Sequence, residues 1–181
     1  MYVIGYDPGL RNFGWATVYF DKHGEPTLTD CNVWCTTPSD TKLRVLAGED
    51  NFRRARELYK NIDSLMRKVE PVAVCIEGMS FPQNPSAAVK LALSWGALAA
   101  ACTVYHLPTV HPSPQQIKKH VCDKRNASKL EVEEAVKELD PACATVLDRV
   151  PKGRREHAVD AYASVLTSLE SDVIQLARKM R

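Results

Sequence analysis

The chain predicts an α/β domain built on a mixed five-stranded sheet flanked by helices. Three observations predict it. Short apolar runs separated by turn residues occupy the first 35 positions, residues 49–69 switch to a helical period, and from residue 72 strand-like and helix-like segments alternate.

Residues 2–6 form an apolar run ending at Asp7, and Pro8-Gly9 turns the chain into a second strand over 13–20. His23-Gly24-Glu25-Pro26 carries hairpin turn chemistry, so residues 27–35 read as a third, antiparallel strand. Phe52, Ala55, Leu58, Tyr59, Ile62, Leu65, Met66 and Val69 recur at helical spacing, the pattern of an amphipathic helix. Its Arg53, Arg54 and Arg56 read as the solvated face of that helix. Residues 72–76 are continuously apolar and end at Glu77, as expected of a strand buried on both faces in a parallel arrangement.

Asn84-Pro85 supplies an N-cap and first-turn pair for a long helix to about Tyr105. Apolar and small residues surround it on all sides, so more than one neighbour should bury it, within the domain or from a second copy. The most apolar stretch, 91–105, is 15 residues and interrupted by Ser94, Gly96 and Thr103, short of the about 20 that a membrane span needs. A short strand near 109–110, helices near 114–121 and 128–139, and a closing helix from about Arg155 complete the series. The tail after about residue 169 reads as an extension of that last helix, and residues 1–181 as one domain.

Composition narrows the function. Twenty-four Lys and Arg against 22 Asp and Glu exclude a basic tail protein and an acidic disordered one. The six cysteines contain no CxxC pair, and the pair Cys31 and Cys35 has no second pair of ligands for zinc, so reduced thiols are expected. The N-terminus lacks the basic start and apolar core of a signal peptide, which predicts a cytoplasmic protein with no membrane partner.

Asp7 and Glu77 each end an apolar strand, at the sheet edge where ligands bind in α/β folds. One such acid commonly caps a helix; two from distant parts of the chain point to a shared site. Carboxylates brought together stay ionised most readily around a cation, and an oxygen-rich set suits magnesium or manganese. His157 and Asp160 are three residues apart on the closing helix and therefore share one face. Asp7-Pro8-Gly9 followed by Gly14 also resembles the phosphate hairpin of actin-like ATPases and sugar kinases. Those folds need two such domains, for which 181 residues are too few.

Residues 4–15, 74–77, Gln116 to Lys118, Ala127 to Lys129 and 157–163 together resemble, in order and spacing, the RuvC-type Holliday junction resolvases. The resemblance implies an RNase H-like fold, a homodimer, and branched DNA, the four-way junction, as partner. It implies four metal-site residues at Asp7, Glu77, His157 and Asp160, the third being Asp or His in the family. Lys118 and Lys129 match lysines near the scissile phosphate. Phe81 is the nearest candidate for the aromatic residue that intrudes at the junction centre, one residue later than the family spacing. Two Mg²⁺ ions per site are expected, with Mn²⁺ able to substitute; such a pair activates water on one side and stabilises the leaving oxygen on the other. Some relatives work with a branch-migration motor, about which this sequence is silent.

Positive charge is expected near that acidic pocket. Residues 118–129 hold five cations, including Lys119, Lys124 and Arg125, against Asp123, a net +4. Residues 149–155 hold Arg149, Lys152, Arg154 and Arg155 with no acid, again +4. Both segments are expected to track DNA phosphates. The rival readings are an RNase H-like nuclease acting on flaps, branched DNA or RNA–DNA hybrids, and a catalytically silent DNA-binding relative.

Overall fold

The structure is a computed structural model that describes residues 1–80 and 82–179, so the Phe81 expectation lies outside the described residues. Strands β1 (Tyr2–Asp7), β2 (Asn12–Phe20) and β3 (Pro26–Cys35) form an antiparallel meander. β4 (Ala73–Ile76) joins β1 in parallel and β5 (Thr109–Val110) joins β4, giving the order β3-β2-β1-β4-β5. This is the mixed five-stranded sheet that the sequence predicts.

The turns follow from local chemistry. Gly9 closes the β1–β2 connection so tightly that a Cβ there would stand 2.3 Å from the Asn12 carbonyl oxygen. In the β2–β3 hairpin, Asp21 accepts from the backbone N–H groups of His23 and Glu25, and Gly24 takes φ +85°.

Two layers of helix cover the sheet. On one face lie α1 (Ala47–Val69) and α2 (Pro85–Val104), packed over Ile4, Tyr6, Phe13, Trp15, Val74 and Ile76. On the other lie α3 (Pro114–Cys122), α4 (Lys129–Leu139), α5 (Ala144–Leu147), α6 (Arg155–Thr167) and α7 (Asp172–Lys179), packed over the alternate residues Val3, Ala16, Val18, Ala73 and Cys75. Asn84 caps α2 by accepting from Ser86 and Ala87, while Ser113 with Gln116 and Ser128 with Glu131 form capping boxes on α3 and α4.

α6 lies against the sheet almost without intervening side chains. A Cβ on Gly5 would stand 2.0 Å from the Ala161 carbonyl oxygen, and one on Gly14 2.0 Å from that of His157. Both glycines therefore let the helix backbone approach the strands, and Ala158 to Leu166 except Asp160 are buried.

Two expectations need correction. The tail does not extend α6: the Ser168 hydroxyl bonds back to the Ser164 carbonyl, the helix ends there, and Ser171 starts the separate α7. Residues 141–147, between α4 and α6, fold into a short 3₁₀ turn and α5. α2 is not buried all round; it seats Ser94, Leu98, Ala101 and Cys102 and leaves Val89 and Val104 53% and 58% exposed. By length and composition alone α2 is long and apolar enough to cross a membrane.

Candidate active site

Strand alternation puts the acids together. On β1, Val3, Gly5 and Asp7 face α6; on β4, Ala73 and Cys75 do the same, and Glu77 follows in step. The parallel register pairs Val3 with Ala73 and Gly5 with Cys75, and the Glu77 N–H donates to the Tyr6 carbonyl at 2.9 Å. Asp7 and Glu77 thus leave adjacent strands at the same level and on the same side. α6, held down on Gly5 and Gly14, brings Asp160 to them. One carboxylate oxygen from each of Asp7, Glu77 and Asp160 lies within 4.8 Å of the others.

The electrostatics of this cluster are unfavourable as it stands. Burial first, and then the charges of Asp7 and Asp160, push Glu77 far above the usual carboxylate range; the Lys118 charge pulls the other way. Burial and then the Asp7 charge raise Asp160 to about 7, against opposing pulls from Lys129 and His157. A set of half-buried carboxylates that disfavour one another's ionisation, all offering oxygen, fits a hard divalent cation.

His157 stands beside this cluster rather than within it. Its Nδ1 is 2.6 Å from Asp7 Oδ2, and its Nε2 is 3.3 Å from the Asn12 side-chain nitrogen. With the Asn12 amide nitrogen facing it, a neutral His157 accepts at Nε2 and carries its proton on Nδ1 toward Asp7. Burial lowers the His157 pKa, but the hydrogen bond to Asp7 and the charges of Asp7 and Glu156 outweigh it and leave it raised. Lys129, the first residue of α4, pairs with Glu156 at 2.5 Å, and the other Glu156 oxygen is 3.7 Å from His157 Nε2.

The remaining cations divide by partner. Lys119 pairs with Asp123, and Lys124 pairs with Glu131. Arg155 is corrected to a structural role: its guanidinium, 15% exposed, bonds Glu133 and Asp148 and locks α4 to the start of α6. Arg125, Arg149, Lys152 and Arg154 are exposed, and Lys118 is half-buried. Sequence reasoning missed Asn12 and Glu156. Asn12 opens β2 between Asp7 and Gly14, the local signal available for it. Glu156, immediately before His157, is the first acid after the basic 149–155 segment.

The comparisons with known proteins agree with this geometry. The family model for crossover junction endodeoxyribonuclease RuvC matches residues 3–168. The chain belongs to the RuvC family. A RuvC crossover junction endodeoxyribonuclease from Natranaerobius thermophilus is 28% identical over 163 residues, 90% of this chain and 91% of that protein. The Thermus thermophilus RuvC solved in complex with Holliday junction substrate superposes with a TM-score of 0.69 at 23% identity, covering 92% of both chains. The yeast mitochondrial Holliday junction resolvase gives 0.65 at 14% identity, over 98% of this chain and 82% of that one. At those identities the two structures speak for the RNase H-like fold, and the RuvC family rests on the sequence match.

Proposed function

We propose that this RuvC-family chain is a metal-dependent endonuclease that resolves four-way DNA junctions by paired, symmetric phosphodiester hydrolysis. The observation that carries the reading is the cluster of Asp7, Glu77 and Asp160, whose carboxylate oxygens converge to within 4.8 Å at one sheet edge of a RuvC-family domain.

Those three residues would hold the cations, with Mg²⁺ the expected ion, two per site, and Mn²⁺ a substitute. When bound, divalent ions supply an activated water and charge neutralisation at the phosphate. The chain's own residues do the rest. His157 orients Asp7 through Nδ1, and Asn12 fixes the His157 tautomer. In this arrangement both His157 nitrogens are engaged, so it can serve as a ligand only once one of those bonds opens. Lys118, whose charge reaches Glu77, and Lys129, held by Glu156, place positive charge where a phosphate builds negative charge. Arg149, Lys152, Arg154 and Arg125 are exposed cations suited to the neighbouring backbone phosphates, with Lys119 and Lys124 available when their surface ion pairs open.

Resolution needs two cuts, and a C2 homodimer supplies two sites. α2 supports such a pairing. Val89, Ala92, Gly96, Ala99 and Thr103 recur every three to four residues along its exposed side, and a Cβ on Gly96 would meet nothing within 4 Å. A mid-helix glycine costs about 1 kcal/mol relative to alanine; close approach of a second α2 gives that position a use.

The test is cleavage of a synthetic four-way junction, a flap and an RNA–DNA hybrid by the same protein in Mg²⁺ at one salt concentration. Preferred cutting of the junction is the expected outcome. Equal or better cutting of the flap or hybrid moves the reading to a general RNase H-like nuclease.

A further inference from the structure

A cavity of about 320 Å³, lined by Arg11, Asn12, Thr36, Thr37, Gly153 and Arg154, among others, shares Asn12 with the acidic site, where Asn12 contacts His157 and His157 contacts Asp7. That is about ten times the ~30 Å³ share of one liquid water, enough for a phosphodiester and part of its sugars. Two guanidinium groups line it and no carboxylate does. Among the described residues, neither Arg11 nor Arg154 has an ion pair or a side-chain hydrogen bond, although Arg53, Arg54, Arg67 and Arg155 all do.

The cavity wall is fixed from behind. Arg54, expected on the solvated face of α1, is instead 3% exposed, and its Nε donates to the Thr36 hydroxyl at 2.8 Å. The Thr36 hydroxyl also bonds the Leu10 carbonyl, and the Thr36 N–H donates to the Arg11 carbonyl at 3.1 Å. The Arg54 guanidinium lies 3.8 Å from Asp50, a carboxylate shared with Arg53 and Ser39, and also feels the charge of Glu57. Arg54, partly compensated by these acids, stands behind the two arginines that line the cavity. Gly153 and Arg154, just before α6, form the same rim.

We infer that this cavity is an anion subsite that seats a backbone phosphate of the DNA strand next to the phosphate being cut, gripped by Arg11 and Arg154. The inference rests on the reading of the protein as a junction nuclease and adds to it a fixed binding point from which Asp7 receives the scissile linkage. Guanidinium forks match phosphate oxygens bidentately, and a neighbour held in place sets the register of the reacting one.

The test measures binding, not cleavage, of four-way junctions in Ca²⁺ by the full chain and by R11Q, R154Q and the double variant. Both arginines are exposed, so the substitutions spare the core. Each single variant should weaken binding about tenfold, and the slope of log K against log salt should fall by about 1 per lost contact. Junctions carrying one neutral methylphosphonate at successive linkages then locate the contact. One linkage should weaken wild-type binding about tenfold and leave the double variant unaffected. Wild-type affinity and salt slope in the double variant would overturn the subsite. An affinity loss that adds equally to every methylphosphonate would overturn it too, as diffuse surface charge. If the wild-type protein binds junctions without cutting them in Mg²⁺, the proposed function falls while this binding series still decides the subsite.

Discussion

Asp7, Glu77 and Asp160 are held close by strand register and by α6, and without a cation they repel. Linkage gives that repulsion a pH dependence. Asp160, raised to about 7 in the fold from an ordinary value of 3.8, stabilises the metal-free protein fully below about pH 4 and loses that contribution as pH rises through about 7. Glu77 and His157 are also raised in the fold, so their contributions have the same sign. Metal-free protein should therefore melt at progressively lower temperature from pH 4 to 8. Asp160→Asn should melt about 5 °C higher than wild type at pH 8 without metal, and Mg²⁺ should stabilise wild type more than the variant. Thermal melts with and without chelator check both. At this scale the sequence showed Asp7 and Glu77 because each ends its own apolar strand. It hid Asn12 because its partner His157 is 145 residues away, and Glu156 because its ion pair to Lys129 exists only once α4 and α6 are folded together.

Between residue and molecule, the α6–sheet contact decides whether the site exists. Gly14 faces the His157 carbonyl and Gly5 the Ala161 carbonyl, both backbone atoms that cannot swing aside as a side chain would. Gly14→Ala should cost about 1–3 kcal/mol of stability as an overpacked contact. Because it lifts the helix that carries His157 and Asp160, it should also reduce cleavage far more than substrate binding; urea unfolding beside single-turnover rates measures the two. Apolar runs and one helical period made β1 to β4 and α1 legible, and Asn84-Pro85 marked the start of α2, while the structure adds capping boxes at Ser113 and Ser128 that start α3 and α4. α5 is four residues long, too short to show a period, and the end of α6 depends on serine hydroxyls that bond back along the helix rather than on a glycine or proline. Arg155 looked like a DNA contact because its acidic partners, Glu133 and Asp148, lie outside the basic segment in sequence.

Across the whole molecule, the net charge of +2 results from acids gathered at the site and in ion pairs while several cations stay free at the rim. The apolar pattern of α2 was legible, but which part of it the domain itself covers was not: four residues are buried, and a stripe of small residues remains open. Gly96→Leu, with open space around it in one chain, should leave the monomer's melting temperature within a few degrees. It should convert a dimer into a monomer in sedimentation, with loss of paired cutting. The central claim concerns the carboxylates at the junction. Its most direct measurement maps Mg²⁺-dependent nicks on all four strands of a synthetic four-way junction, for wild type and Asp7→Asn. The account predicts two symmetric nicks on opposing strands for wild type and junction binding with no cleavage for Asp7→Asn. Wild-type cutting by Asp7→Asn, or no cleavage by wild type in any divalent metal, would contradict it.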